Sequence, residues 1–467
     1  MKTWKQWSLL LLLVAVFAAA VYAYDYLETN LPIGTAYTAK ILCSSVFVSG
    51  RPEADVLEED LEMAPAYRIE AKVDRKEATV TASFFRLFER TAVYREGLGC
   101  TVCNGVPPEE LKKRPLPSGA VQPPPPGDEP WPSGEAIPAA AASQGVDRDR
   151  LDRAMDRAFE EIDPERPMRT RAVVVVHRGR IIGERYAQGV TRETPLLGWS
   201  MTKSVNSALV GILVGRQKLS LHAPALVPAW RNEDDPRSNI TLDHLLRMTS
   251  GLQFSEEYEE NLNSDCNVML FRQRDMAAYA ASKPLEAPPG EKWSYSSGTA
   301  NILAGIVRRA VGGTEEEYHA FPHRALFQRI GMRSAVMEPD ASGTFVGSSY
   351  MYATARDWAR FGLLYLNNGL WDGERILPEG WVAYSRTPTP ESPPHEKYGA
   401  QFWLNAGGKD RWLPALPSDM YAARGHEGQY VLIIPSRELV VVRLGLSRGP
   451  DSGETLAFVP DLLEALP

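Results

Sequence analysis

Two apolar hairpins, at 171–186 and 430–444, lie about 240 residues apart and limit the possible folds more than any other feature of this chain. In the first, Arg171-Ala-Val-Val-Val-Val-His177 and Arg180-Ile-Ile-Gly-Glu-Arg-Tyr186 flank Arg178-Gly179, a two-residue turn signal. In the second, Tyr430-Val-Leu-Ile-Ile434 and Glu438-Leu-Val-Val-Val-Arg-Leu444 surround Pro435-Ser436-Arg437. The sequence between them is mostly of helical period, so the hairpins are expected to join in one antiparallel sheet with a helical insertion, an α+β architecture. Helices are expected at Asp147 to Ile162, from Thr241, at Thr299 to Ala310, from the cap Thr354 to about Leu366, and at Thr455 to Leu466.

At 467 residues and 44% hydrophobic, the chain has material for more than one domain. The formal charge of -8 is spread thinly with no basic stripe, which argues against nucleic acid as a partner. Lys2 and Lys5 precede an uncharged run from Ser8 to Tyr24, so residues 1–24 are expected to be a targeting segment. It is either a signal peptide cleaved near Val21-Tyr22-Ala23 or an uncleaved anchor, and either places the protein outside the cytoplasm, periplasmic or held at the membrane by this segment alone. Residues 25–104 are expected to form a small β-rich module, with strand-like alternation from about Thr35 to Val102. Residues 105–146, which include Pro123 to Pro126, read as a semi-rigid linker, and 147–467 as the main domain.

Three of the four cysteines, Cys43, Cys100 and Cys103, lie in the N-terminal region, and a Cys43 bond to Cys100 or Cys103 suits an oxidising compartment. A redox pair or zinc site at Cys100-Thr101-Val102-Cys103 is the alternative, although neither a βαβ pattern nor a second C-x-x-C accompanies it. Cys266 reads as a small buried side chain. His319 and His323 stand at i and i+4, but Pro322 interrupts the turn and no third ligand is evident, so no metal is expected.

The stretch Gly198-Trp199-Ser200-Met201-Thr202-Lys203 opens an apolar helix carrying Val205, Ala208, Leu209, Ile212 and Leu213. Ser200 and Lys203, at i and i+3, share one face of the first turn, where an amine can take a hydroxyl proton. The free N–H groups of a helix N-terminus suit a developing oxyanion. Further on, Trp293-Ser294-Tyr295-Ser296-Ser297-Gly298 follows the turn-rich Pro288-Pro289-Gly290 and places Tyr295 on a loop entering a helix, where a phenol can relay a proton. Arg424-Gly425-His426-Glu427-Gly428-Gln429 precedes the last hairpin; Gly428 is expected to let the backbone approach a ligand, with the Gln429 N–H as an oxyanion donor.

Ser-x-x-Lys, Tyr-x-Ser and His-x-Gly in this order resemble the motifs of the penicillin-recognising serine hydrolases. That family includes class C β-lactamases, D-alanyl-D-alanine peptidases, family VIII esterases and 6-aminohexanoate-dimer hydrolase, and is related to enzymes with the Ser-x-x-Lys and Lys-Thr-Gly set. The resemblance covers about Arg171 to Leu446, includes the Gly347-Ser348-Ser349 loop, and implies a β-lactamase/transpeptidase-like fold with no cofactor. It makes Ser200 the nucleophile, Lys203 its base, Tyr295 the proton shuttle, and the Ser200 and Gln429 amides the oxyanion hole. Ser264-Asp265-Cys266 is a rival for the second motif.

Two departures bear on substrate. His426-Glu427-Gly428 stands where β-lactam-processing relatives carry Lys-Thr-Gly; histidine is ordinarily mostly neutral at pH 7, and an acidic Glu427 would weaken a carboxylate site unless Arg424 compensates. Ser297 stands where many relatives carry an Asn that contacts the acyl side chain. Both changes resemble the esterase and linear-amide branch. Tyr258, within Glu256-Glu257-Tyr258, is either a surface tyrosine on a polar loop or a counterpart of the dimer hydrolase's substrate-side loop. The expected activity is therefore hydrolysis of a small ester, amide or peptide-like substrate through an acyl-enzyme. The alternatives are a D-alanyl-D-alanine peptidase, a weak β-lactamase, or a sensor that is acylated without turnover.

Overall fold

The computed structural model describes residues 2–62, 69–114, 116, 129–137, 145–224, 227–232, 234–258, 261–449 and 451–467. Its centre is a six-stranded antiparallel sheet in the order Trp403–Leu404, Tyr421–Gly425, Gln429–Ile434, Leu439–Gly445, Thr170–His177, Arg180–Tyr186. The two hairpins meet as expected, with Leu439 opposite His177 and Val442 opposite Val174. That pairing brings the ends of the main domain together and leaves the helical sequence to run from one edge strand, Arg180–Tyr186, to the other, Trp403–Leu404.

The middle strands are mostly apolar because both faces of the sheet are covered there. Val174, Val176, Val440 and Val442 join the larger core with the helices Met201–Gly215 and Ala355–Leu366. Their alternates Val173, Val175 and Val441 face Leu151 and Met155 of Arg148–Arg157 and Leu462 of Val459–Glu464. Period-2 geometry sends successive side chains to opposite faces, so the two covering layers need both sets to be apolar. Helix starts follow local chemistry: Asp147, Thr241, Ser296 and Thr354 each accept a backbone N–H from the first turn they cap.

The N-terminal region departs from expectation. Residues 35–47, expected to be strand, belong to a 46-residue helix Lys2–Phe47, and the strands begin only at Ile69. The alternation there marked a helix buried on two sides. Ile33, Ala36 and Ile41 join the larger core, whereas Leu42, Cys43 and Val46 pack on Val80, Ala82 and Ala92 of a four-stranded sheet spanning Ile69–Val102. The Lys40 ammonium is bonded to the buried Glu338 carboxylate, which also accepts from Ser44 Oγ and, at 2.6 Å, from the Cys100 N–H. Cys43 and Cys100 form a disulfide, while Cys103 is a free thiol that burial pushes up to about 12. Earlier in the same helix, apolar side chains such as Trp4, Leu11 and Phe17 are exposed. Among the described residues, no helix is long and apolar enough to cross a membrane.

Part of the expected linker is likewise docked. Trp131 is buried, the carbonyls of Pro132 and Gly134 accept from Arg360, and Glu135 is paired with Arg356 and Arg360. These partners satisfy two guanidinium groups on the helix Ala355–Leu366, which explains how a segment poor in apolar residues docks on the domain. Pro123 to Pro126 lie outside the described residues.

Candidate active site

Ser200 occupies the N-cap position of the helix Met201–Gly215. The residue before it, Trp199, has φ +46°, an unusual conformation for a bulky side chain. Its surroundings hold it there: the indole Nε1 donates to Glu427 Oε2 at 3.1 Å, and the ring lies against Tyr350 and His426. Gly198 is also constrained, since a Cβ there would come 2.3 Å from the Trp358 ring. In the first turn the Met201, Thr202 and Lys203 amides bond to the Gly198, Trp199 and Ser200 carbonyls. The Ser200 N–H makes no hydrogen bond among the described residues.

Lys203 is buried and its Nζ makes three contacts: Ser200 Oγ at 2.9 Å, Ser297 Oγ at 3.0 Å and the Ser348 carbonyl at 3.0 Å. Ser348 lies in the loop that the resemblance included. Nζ also stands 4.8 Å from the centre of the Tyr295 ring, which is held edge-on by Tyr398 and against Trp403. Ser200, Tyr295, Tyr258, His426 and Gly428 line one open cleft of about 660 Å³, together with Trp403, Trp412 and Arg424. The hydroxyl, amine and phenol, separated by up to 95 positions in the chain, thus converge beside a solvent-reachable space.

The turn before the last hairpin is placed differently from expectation. Gly425, rather than Gly428, makes the close approach: a Cβ on Gly425 would come 2.2 Å from the Gly198 carbonyl oxygen, so the strand lies directly against the nucleophile loop. Gly428 has φ +79° and its carbonyl accepts from Arg443 at 2.6 Å, so it is needed for the turn and for the guanidinium packed on it. The Gln429 side chain donates to the carbonyls of His426, Glu427 and Gly445 and accepts from the Gly445 N–H. Any role of Gln429 at an oxyanion is therefore left to its backbone. Glu427 turns inward, between the Trp199 indole and Arg448 Nε at 2.8 Å. Its charge is compensated by Arg448, while Arg424 lies over Trp403 and Trp412.

Ser297 and Tyr258 both engage Glu256. Ser297 is buried and bridges Lys203 to Glu256 instead of facing the cleft as a contact for an acyl chain. Tyr258 is half-buried at the cleft wall: its hydroxyl donates to Glu256 and its ring lies 5.7 Å from His426. Burial pushes the Tyr258 phenol well above its ordinary value, and the adjacent Glu256 charge adds to the effect. The rival Ser264-Asp265-Cys266 is elsewhere engaged, Ser264 capping Asp265–Arg272 and Asp265 bound to Lys283 and Tyr279. His319 Nε2 is bonded to the Gly343 carbonyl.

Sequence reasoning missed Glu256 as a member of the site. In sequence it is one of several acidic residues on a polar loop, yet it accepts from the Ser297 N–H at 2.7 Å, the Ser297 hydroxyl and the Tyr258 hydroxyl. Burial raises its carboxyl above the ordinary value, opposed by the Lys203 charge and by these bonds. The one available signal was its place two residues before Tyr258, on the loop facing the second motif.

Comparison with known proteins identifies the family. The family model described as Beta-lactamase matches residues 155–461. The chain is 23% identical over 338 residues to the 6-aminohexanoate-dimer hydrolase of Paenarthrobacter ureafaciens, covering 68% of this chain and 85% of that protein. A solved Bacillus anthracis structure, provisionally named a 6-aminohexanoate-dimer hydrolase, aligns with TM-score 0.54 at 24% identity, over 64% of this chain and 81% of that one. A penicillin-binding protein homologue from Caulobacter crescentus aligns with TM-score 0.53 at 13% identity, over 69% and 99% respectively. The match to the family model covers well over half of the sequence, and the chain belongs to the beta-lactamase family of serine hydrolases.

Proposed function

We propose that this protein hydrolyses an ester or an unstrained linear amide through an acyl-enzyme on Ser200. The observation that carries the reading is the 2.9 Å contact between Ser200 Oγ and Lys203 Nζ at the edge of the cleft. In the first half-reaction, neutral Lys203 takes the Ser200 proton as Oγ bonds to the substrate carbonyl carbon, and the oxyanion faces the Ser200 N–H and the backbone of Gln429. The bond to the leaving oxygen or nitrogen then breaks, and that atom receives a proton through Tyr295. In the second, water attacks the ester on Ser200, passes a proton back through the same groups and releases the acid.

Two features support an ester or linear amide over a β-lactam. His426 and a Glu427 already paired with Arg448 stand where a Lys-Thr-Gly motif would present an ammonium to a ring carboxylate. Similarity to a relative named for a linear-amide dimer points the same way. The substrate is a small ester, amide or peptide-like molecule. The uncharged Ser8–Tyr24 run behind two lysines, with the Cys43–Cys100 bond, supports export to the periplasm or membrane face.

Turnover of p-nitrophenyl butyrate and a linear p-nitroanilide tests the reading, with mass spectrometry for an adduct of the acyl group on Ser200. Ser200→Ala is expected to lose both adduct and turnover. Intact turnover by that variant, with no adduct on the parent protein, would sink the proposal.

A further inference from the structure

The three contacts of Lys203 raise a question of direction, and this inference rests on the reading of Lys203 as the base. A neutral amine has two N–H bonds and one lone pair, and it deprotonates Ser200 only if the lone pair points at that hydroxyl. The Ser348 carbonyl at 3.0 Å can only accept, so it takes one N–H. The Ser297 hydroxyl at 3.0 Å can donate or accept. If it donated to Lys203, it would occupy the lone pair and turn an N–H toward Ser200, leaving the base misaligned.

Glu256 settles which way Ser297 points. Its carboxylate is an acceptor only, and Oε1 takes the Ser297 hydroxyl proton while Oε2 takes the Ser297 backbone N–H at 2.7 Å. With its one proton committed, Ser297 Oγ offers only lone pairs to Lys203 and takes the second N–H. The remaining direction on nitrogen is the one toward Ser200 Oγ, 2.9 Å away. We infer that Glu256 is a positioning residue: by holding the Ser297 hydroxyl as an acceptor, it orients the Lys203 lone pair onto the nucleophile.

The same arrangement serves the protonated state. Once Lys203 has taken the proton it has three N–H groups and three acceptors, Ser200 Oγ, Ser297 Oγ and the Ser348 carbonyl, with a carboxylate one hydroxyl behind. No side chain has to reorient between the two states. Glu256 also binds the hydroxyl of Tyr258, two residues further along the same loop, so that phenol is held in the same network.

A carboxylate that only capped the helix Ser297–Val311 would affect folding but not the rate of correctly folded sites. The experiment is therefore a double-mutant cycle with Glu256→Gln, Ser297→Ala and the pair, using p-nitrophenyl butyrate and counting active sites with a fluorophosphonate. Glu256→Gln is expected to lower kcat per titrated site about 100-fold with KM changed less than about threefold, since a small misplacement of a reacting group costs that much. Because Glu256 acts through Ser297, the pair is expected to be no worse than the more damaged single variant, within about threefold. A kcat per site for Glu256→Gln within about threefold of the parent, or losses that multiply in the pair, would overturn the assignment. If Glu256→Gln does not fold, Glu256→Asp replaces it in the same cycle and is judged by the same two criteria. Turnover surviving Ser200→Ala is a separate result that removes the acyl-enzyme reading itself and this role with it.

Discussion

Lys40 and Glu338 lie 298 positions apart and form a buried ion pair that joins the N-terminal helix to the main domain. Both side chains are almost wholly excluded from solvent, and Glu338 has two further donors in Ser44 and Cys100. Removing one member leaves the other charged and unpaired in a dry interior. Lys40→Met is expected to destabilise the protein by about 3–5 kcal/mol in urea unfolding, and Lys40→Met with Glu338→Gln to recover part of the loss. Equal stability of Lys40→Met and the parent would show that the helix is not held by this contact.

The Cys43–Cys100 bond closes a segment with a sequence separation of 57. Confining such a loop in the unfolded chain is worth about 4 kcal/mol on the loop-entropy scale. Cys43→Ala is expected to lower the urea midpoint and to abolish the effect of dithiothreitol on it. A dithiothreitol effect that persists in Cys43→Ala would place the disulfide elsewhere.

Burial of His323 against Phe327 pushes its imidazole from the ordinary 6.5 down to about 4. Between these values the unfolded chain binds a proton that the folded one refuses, so stability rises with pH in this window. The contribution is fully kept above about pH 6.5 and lost as pH falls toward 4, by about 3 kcal/mol for a shift of this size. His323→Leu is expected to reduce the difference between unfolding free energies measured at pH 7 and pH 4.5. An unchanged difference would show that other groups govern acid sensitivity.

Tyr295→Phe preserves the ring contacts with Tyr398 and Trp403 and removes only the hydroxyl. Loss of a proton relay is expected to lower kcat about 10²–10⁴-fold, with Tm nearly unchanged. A variant with parental kcat would remove Tyr295 from the reaction.

Gly425 lies against the Gly198 carbonyl, where a methyl group has no room. Gly425→Ala is expected to push the hairpin from the nucleophile loop, lowering both Tm and the acylation rate. Parental values for both would contradict the contact.

Most of the central sheet was legible because its information is local: long apolar runs separated by short turns show strands, and two such hairpins need each other. The trio Ser200, Lys203 and Tyr295 was legible because each sits at a helix entrance that capping and turn residues mark. Residues 35–47 misled because a helix buried on opposite sides carries apolar residues too densely for a single 3.6-residue stripe, and a short window then resembles strand alternation. Glu427 misled in another way. A charge next to a site motif suggests electrostatics toward the ligand, but the positive φ at this residue and the presence of Arg448 send its side chain inward.

The sequence by itself determined the α+β architecture, the closure of the sheet by its two hairpins, and the positions of a hydroxyl, an amine and a phenol that the fold brings together. Only the tertiary structure decided that Glu256 stands behind Ser297, that Lys40 is neutralised by Glu338, and that the segment around Glu135 is a docked strap. Periodicity and capping act over a few residues, so they can be read along the chain. A buried charge is satisfied by whichever partner the fold brings within about 3 Å, and that distance bears no relation to separation in sequence.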